Sequence, residues 1–349
     1  MRHRIRDIAE RAKVSTATVS RALNGSPLVD EKTRRRVLEI SEQLNYYRNA
    51  TAQRLRNGGR SDFYGLIISD FTNPVFPEMI KGFETAAAEE GYDLFLCATN
   101  YDASRTQAAI RKMIENGVRG VAILTSSVDV EFAEELAERQ IAVVLLDSEV
   151  HDRFISSLSI DYSSGVRQAL DHLRALGHRH LTFLSGPDGR RSARRYRETV
   201  VRAADEYGLK LEAILECDQT LEGGRNAASK LAGKPLSSAI LCINDFTAIG
   251  FMAALHEASI QIPEEVSIVG CEDIYLSSFV NPPLTTVRLD RVSLGKMAFS
   301  LLKSMPQHNQ ESMNDLRLGT HLVVRGSTGA RKRSSPSGRG KVIRSRLAL

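Results

Sequence analysis

The chain has 349 residues, of which 42% are hydrophobic and 26% are charged, and it contains no tryptophan. This length is typical of two or three globular domains, and no run approaches the roughly 18 consecutive apolar residues that a membrane helix requires. The charged N-terminus lacks the apolar region of a secretory signal, and the four cysteines are far apart, without a C-x-x-C pair. These features argue against a secreted, zinc-ribbon or disulfide-stabilised protein and favour a cytoplasmic one without membrane contact.

Charge is distributed unevenly along the chain. Residues 1–60 contain 14 Lys and Arg but 6 Asp and Glu, and residues 329–349 contain 7 basic residues and no acidic one. The remaining 26 basic and 36 acidic residues make the body mildly acidic. A basic head on an acidic body indicates a polyanion-binding module joined to a separate domain, whereas the C-terminal basic run also fits a solvated tail.

The head predicts three short helices. Apolar residues at helical spacing indicate a first helix that ends at Ala12. Ser15 can then N-cap a second helix over 16–23, and Asp30 a third over 31–44. The apolar stripe of the third helix is predicted to contain Val37, Leu38, Ile40 and Leu44. Two short helices joined by a tight turn describe a helix-turn-helix, whose second helix fits the major groove of DNA.

The residues of this segment are distinctive. Positions 5–25 read I-R-D-I-A-E-R-A-K-V-S-T-A-T-V-S-R-A-L-N-G, followed by T-R-R-R-V at 33–37 and N-A-T-A-Q-R-L-R at 49–56. This pattern resembles the headpiece of the LacI/GalR family of bacterial transcriptional regulators. The resemblance implies sequence-specific binding of double-stranded DNA.

The resemblance assigns roles to residues of the head. Thr16, Ala17 and Arg21 match the base-reading positions of the recognition helix, and an arginine there suits guanine O6 and N7. The positions that match phosphate or backbone contacts are Ser15, Thr18, Ser20 and Asn24.

Residues 49–57 match the family's hinge helix. Asn49 opens it, and Ala52 and Leu55 match its minor-groove positions, where an apolar side chain kinks the duplex. The segment is too short to be stable alone, so we expect it to fold on DNA. Arg48 replaces the family's proline, which removes the residue that stiffens the hinge entry.

From residue 63 onward, apolar strand-like runs alternate with amphipathic helical stretches. The runs lie near 65–68, 94–97, 121–124, 143–146, 181–185, 213–216, 239–243 and 266–270. Apolar strands separated by helices predict parallel sheets covered on both faces. The pattern restarts after residue 160, so we expect two lobes with a ligand site between them.

The resemblance extends through this body to about residue 327. It rests on D-F-T-N-P-V-F at 70–76, N-D at 244–245, V-G-C-E-D at 269–273 and P-P-L-T-T-V at 282–287. The family implies a two-lobed α/β effector domain of the type I periplasmic-binding-protein fold, with Rossmann-like parallel sheets. It joins a small all-α helix-turn-helix headpiece through the hinge helix.

The implied organisation has four parts. These are the headpiece over 1–48, the hinge helix and linker over 49–61, an effector-binding and dimerisation domain over 62–327 and a basic disordered tail over 328–349. The lobes are expected to comprise approximately 62–161 with 291–320, and 162–290 with 321–327.

By the same resemblance, the effector-binding candidates are Phe76, Asp147, Arg195, Asn244 and Glu272. An aromatic ring can stack on a sugar face, and carboxylate, guanidinium and amide groups suit polyol hydroxyls. Taken singly, each polar residue is more often a surface or capping group.

Five arginines crowd the segment around Arg195. They are Arg190, Arg191, Arg194, Arg195 and Arg197. Such charge suits an acidic or phosphorylated sugar, but a solvated helix face is the preferred interpretation for all except Arg195. His178 and His180 alternate nearby, and we interpret them as part of a solvated loop rather than a metal site.

The sequence contains no Walker A, nucleophile-elbow or zinc-protease motif, so we predict no catalytic residue, metal or cofactor. The combined prediction is a cytoplasmic, homodimeric repressor that binds a pseudo-palindromic operator. A small metabolite is predicted to control this binding, and a sugar or sugar derivative is the favoured class. The alternative is a cytoplasmic carbohydrate-binding protein without a DNA-directed role.

Overall fold

The computed structural model describes residues 5–23, 26–44, 46, 61–125, 130–150, 152–305 and 316–331. The chain separates into two compact units, residues 1–61 and 62–349. Within the described ranges, no helix combines the length and apolarity needed to cross a bilayer.

The first unit contains the three predicted helices. They are α1 (Ile5–Ala12), α2 (Thr16–Leu23) and α3 (Glu31–Gln43). Asp30 caps α3, because its Oδ1 accepts a 2.9 Å hydrogen bond from the Thr33 N–H. Ile8, Val19 and Val37, one from each helix, are fully buried against one another. The prediction for Leu38 is wrong: Leu38 is 42% exposed, because it lies about 100° around the axis of α3 from the buried Val37.

The second unit begins with an N-lobe of five parallel strands. They are β1 (Phe63–Ile68), β2 (Asp93–Ala98), β3 (Gly120–Leu124), β4 (Ala142–Leu146) and β5 (Ile155–Asp161), in the order β2-β1-β3-β4-β5. Three helices alternate with them, namely α4 (Val75–Glu89), α5 (Ala103–Glu115) and α6 (Val130–Glu138). Leu66, Ile67 and Ile68 are all fully buried, and Ile67 belongs to a different apolar cluster from its neighbours. The sheet is therefore covered on both faces.

The C-lobe repeats this alternation. Its strands are β6 (His180–Ser185), β7 (Lys210–Glu216), β8 (Ala239–Cys242), β9 (Ser267–Glu272) and β10 (Thr285–Leu289). Its helices are α7 (Tyr162–Ala175), α8 (Arg191–Glu206), α9 (Leu221–Lys230) and α10 (Asp245–Glu257), with a 3₁₀ turn at Tyr275–Ser278. The chain then returns to the N-lobe as α11 (Arg291–Ser304), and the last strand is β11 (Leu316–Val323).

Strand β11 is shared by both lobes. Leu316 to Gly319 pair in parallel with β5, and Thr320 to Val323 pair antiparallel with β10. The two sheets are thereby joined into one sheet of eleven strands. Strands β5, β10 and β11 are absent from the predicted set, because their serine-, threonine- and arginine-containing sequences lack the continuous apolar runs of the others.

Two segments differ from the sequence predictions near the C-lobe surface. His178 is 2% exposed, with Nδ1 2.9 Å from the Ser238 hydroxyl and Nε2 3.1 Å from the Gly329 carbonyl oxygen, so the solvated-loop interpretation is wrong for it. Gly329 also donates its N–H to Ser267 Oγ, and the Arg331 N–H bonds to the Leu176 carbonyl. Residues 328–331 are therefore part of the C-lobe rather than of a disordered tail.

Candidate functional site

The exposed face of α2 carries the candidate base-reading residues. Val19, Ala22 and Leu23 are buried, whereas Thr16, Ala17 and Arg21 are exposed. The helix starts where predicted, because Ser15 Oγ accepts a 3.0 Å hydrogen bond from the Thr18 N–H. The buried side chains thus pack α2 against the core of the headpiece. The other side of the helix presents a guanidinium, a hydroxyl and a methyl group to solvent.

The remaining DNA-binding candidates divide into two groups. Thr18 and Ser20 are half-buried at the edge of α2, and Ser15 is exposed. Asn24, Asn49, Ala52 and Leu55 lie outside the described residues. Their roles stay predictions.

A cavity of about 280 Å³ lies between the lobes of the second unit. Its polar lining from the N-lobe includes Ser69, Asn73, Tyr101, Thr125, Asp147 and Ser148, and from the C-lobe Tyr162, Arg190, Arg191, Ser192, Gln219 and Glu272. Several of these directly follow the carboxyl end of a strand, as Ser69 follows β1 and Thr125 follows β3. The cavity is therefore formed at the edge where open α/β sheets bind their ligands.

Phe76, Asp147 and Glu272 line the cavity, as the sequence resemblance implies. Phe76 lies on the first turn of α4 and is 7% exposed. Asp147 follows β4 with a positive φ of 52°, and its Oδ1 accepts a 3.1 Å hydrogen bond from the Ile160 N–H. Burial raises the pKa of the Asp147 carboxyl, against the opposing effects of that N–H and of the Arg195 charge.

Arg195 reaches Asp147 from the other lobe. Its Nη1 lies 3.5 Å from Asp147 Oδ1 and 3.4 Å from the Asp147 carbonyl oxygen. Arg195 is not among the cavity-lining residues, so it contacts Asp147 without bordering the cavity itself.

Glu272 is the last residue of β9 and has a φ of 105°, which is rare for any residue except glycine. Burial raises the pKa of its carboxyl to about 8, assisted by repulsion from Asp245 and opposed by Arg291. Arg291 is 2% exposed and donates to the Glu272 carbonyl oxygen, which holds this backbone in place. A carboxyl with this pKa is largely protonated at neutral pH and can donate a hydrogen bond.

Asn244 is placed differently from the prediction. It is 2% exposed and caps α10: Oδ1 accepts from the Thr247 N–H at 2.9 Å, and Nδ2 donates to the Gln219 carbonyl oxygen at 2.9 Å. Gln219 lines the cavity, but Asn244 does not. Its neighbour Asp245 is fully buried and accepts from Ser277 Oγ and the Ile274 N–H.

Sequence reasoning missed several lining residues. Tyr101, Tyr162 and Gln219 carry no motif signal, and the interpretation of Arg190 and Arg191 as part of a solvated helix face is wrong, because both line the cavity. The available signal was their position after a strand or at the start of α8, because parallel strands bring such positions together at one edge.

The comparisons with known proteins agree with this architecture. Residues 4–49 match the bacterial regulatory proteins of the lacI family, and residues 170–328 match the periplasmic binding protein-like domain. The HTH-type transcriptional regulator MalR of Streptomyces coelicolor is 33% identical over 98% of this chain and 100% of its own length.

Solved structures show the same likeness. The Lac repressor dimer bound to operator and the anti-inducer ONPF superposes with a TM-score of 0.82 at 26% identity, covering 95% of this chain and 100% of that one. A LacI family regulator from Enterococcus faecium with bound ribose gives 0.70 at 26% identity, covering 77% of this chain and 100% of that one. The chain therefore belongs to the LacI family and is a DNA-binding transcriptional regulator.

Proposed function

We propose that this regulator is a homodimeric repressor whose affinity for a pseudo-palindromic operator is controlled by a sugar or sugar derivative bound between the two lobes. The observation that carries the proposal is the cavity of about 280 Å³, because both lobes build its wall. The ribose held by the Enterococcus faecium relative and the operator held by the Lac repressor support the same assignment.

The lining suits a polyol. Asn73 and Gln219 carry amides, Ser69 and Thr125 carry hydroxyls, and Phe76 offers an aromatic face. These groups can donate and accept hydrogen bonds with sugar hydroxyls, while the ring packs on the apolar face of a sugar.

Control of DNA binding follows from ligand contact with both lobes. A ligand that fits one relative orientation of the lobes better than another shifts the population toward it. Residues 49–61 connect the two units along the chain, so this shift reaches the headpiece through them. Coupling of this kind is typically about 1–3 kcal/mol, which corresponds to a change of about 5- to 150-fold in operator affinity.

A dimer is supported by exposed aromatic side chains after β9. Tyr275 and Phe279 are 73% and 66% exposed, their ring centroids are 4.7 Å apart, and Leu276 beside them is 46% exposed. Apolar groups clustered on a surface mark interaction sites, and a second copy of the chain would present a second recognition helix to a second half-site.

The test is selection of bound duplexes from a random library by the full chain. We expect an enriched site with two-fold symmetry, whose labelled form then loses or gains affinity when one sugar is titrated. An enriched site without symmetry would contradict the dimer, and an affinity insensitive to every sugar would contradict the proposed effector.

A further inference from the structure

The arginines around the start of α8 are not equivalent. Arg194 Nη2 donates to the Asp188 carbonyl oxygen at 3.2 Å, Arg197 Nη1 lies 2.5 Å from the Asp188 carboxylate, and Arg195 pairs with Asp147. The two remaining arginines, at positions 190 and 191, both line the cavity. In the part of the chain that the structure describes, no carboxylate lies within ion-pair distance of either.

Arg190 is held in position without losing its hydrogen-bond donors. Its guanidinium carbon lies 3.9 Å from the centroid of the Tyr101 ring, which belongs to the other lobe. Tyr101 follows Asn100 in the connection after β2, where both residues have a positive φ, and its side chain lines the cavity. A cation–π contact of this kind uses none of the N–H donors of the guanidinium, so they remain available to a planar or tetrahedral anion.

The acidic residues of the cavity do not cancel this charge. The negative charge of Asp147 is balanced by Arg195, with Nη1 and Oδ1 3.5 Å apart. Burial raises the pKa of Glu272 to about 8, so this carboxyl is mostly neutral at neutral pH. Among the described residues, the cavity therefore contains two cationic side chains without an anionic partner.

The start of α8 adds to the positive potential. Its N-cap residue, Arg190, makes no side-chain capping bond, and its first turn contains no acidic residue. Arg191 and Ser192 of that turn line the cavity. The positive end of a helix dipole favours an anion at the same place as the two guanidinium groups.

The size of the cavity restricts the ligand. Its volume of about 280 Å³ lies just below the range of about 300 to 1,000 Å³ that is typical of ligand pockets. A single sugar ring with one charged substituent suits this space better than an oligosaccharide.

We propose that the effector is an anionic monosaccharide whose carboxylate or phosphate group is bound by Arg190 and Arg191, while its hydroxyls contact the N-lobe wall. This inference rests on the function proposed above and specifies the chemical class of the effector.

The experiment measures dissociation constants for the full chain by calorimetry with matched ligands: glucose, glucuronate and glucose 6-phosphate, then galactose, galacturonate and galactose 6-phosphate. Inorganic phosphate controls for a simple anion. The variants are R190Q/R191Q and the control R194Q, which removes one positive charge from the first turn of α8 without altering the cavity lining. Circular dichroism verifies that both variants fold.

The expected result is that one anionic form binds at least tenfold more tightly than its neutral sugar. R190Q/R191Q removes this preference and R194Q keeps it; the uronate and phosphate arms identify the anion. Tighter binding of the neutral sugar, or an anion preference that survives in R190Q/R191Q, overturns the inference, and the proposed function stands if that sugar changes operator affinity. If no ligand of the panel binds, the inference is overturned, whereas the proposed function fails only if operator affinity is also insensitive to every other sugar.

Discussion

Arg195 and Asp147 connect the two lobes across the edge of the cavity. Arg195 projects from α8 of the C-lobe, and Asp147 follows β4 of the N-lobe, with 3.5 Å between Nη1 and Oδ1. The arginine side chain is 48% exposed, so the pair itself contributes at most about 1 kcal/mol. Its importance is geometric, because a change in lobe orientation alters this distance directly.

Arg195→Gln should weaken effector binding by about tenfold, because the orientation of the Asp147 carboxylate is lost and charge-assisted hydrogen bonds to it are stronger than neutral ones. Stability should fall by no more than about 1 kcal/mol. Calorimetry and urea denaturation measure the two quantities. Arg174→Gln, which breaks the exposed Arg174–Asp171 pair, serves as the control; equal effects of both substitutions would contradict a role for Arg195.

Glu272 should make stability depend on pH. Its pKa is about 8 in the folded protein against an ordinary value of 4.5, so the folded state binds its proton more tightly than the unfolded state does. The resulting stabilisation is complete below about pH 4.5 and is lost as pH rises through 8, by at most about 1.4 kcal/mol per pH unit.

Glu272→Gln should therefore be more stable than the wild type at pH 8–9, with a difference that disappears near pH 4.5. Urea denaturation at several pH values measures this, with Glu198→Gln, an exposed position on α8, as the control. A pH-independent difference between wild type and Glu272→Gln would contradict the argument.

Arg21→Ala should reduce sequence discrimination at one base pair per half-site by about 1–3 kcal/mol, because a bidentate guanine contact is lost. Fluorescence anisotropy with single-substituted duplexes gives the discrimination. Arg11→Ala removes an exposed charge from the end of α1 and controls for general electrostatics. An equal loss of affinity on all duplexes would instead assign Arg21 to the phosphate backbone.

Gly82→Ala should destabilise the second unit. A Cβ at position 82 would lie 2.0 Å from the Val292 carbonyl oxygen, because α4 and α11 cross with backbone in contact. Forcing the helices apart should cost about 1–3 kcal/mol or more. Gly189→Ala, where a Cβ meets no atom within 4 Å, should leave the urea midpoint almost unchanged. Similar midpoints for the two variants would show that the crossing adjusts without cost.

Replacing both Tyr275 and Phe279 with aspartate should shift the protein toward monomer, since charges would enter the proposed dimer surface. Sedimentation equilibrium measures the association. Val201→Asp, at an exposed apolar position on α8, is the control. An unchanged dimer in the double variant would place the interface elsewhere.

Residue patterns predict this fold where one physical effect dominates. The apolar runs within β1 and β3 are buried, as predicted. In α2, the apolar residues at helical spacing form the buried face and the polar residues between them form the exposed face. Strand β5 escapes such reasoning, because it lacks a continuous apolar run and its buried Ser157 hydroxyl donates to the Ser148 carbonyl oxygen, a contact that no residue pattern reveals.

The candidate site is predicted only in part for a similar reason. Phe76, Asp147 and Glu272 line the cavity, but the amide of Asn244 is occupied by the helix cap and by Gln219. An asparagine before a helix has both uses, and only the fold determines which atoms remain available. Arg190 and Arg194 are alike in sequence, but Arg190 contacts Tyr101 of the opposite lobe, whereas Arg194 bonds to Asp188 of its own lobe.

The shared strand β11 has a consequence for synthesis of the protein. A nascent chain emerges N-terminus first, so β5 and β10 leave the ribosome before the strand that pairs with both of them. Helix α4 likewise waits for α11, which packs on it through Gly82 and Gly295. We expect neither lobe to complete its sheet until residue 323 has emerged, so truncated products should expose strand edges and apolar surface and become substrates for chaperones and proteases.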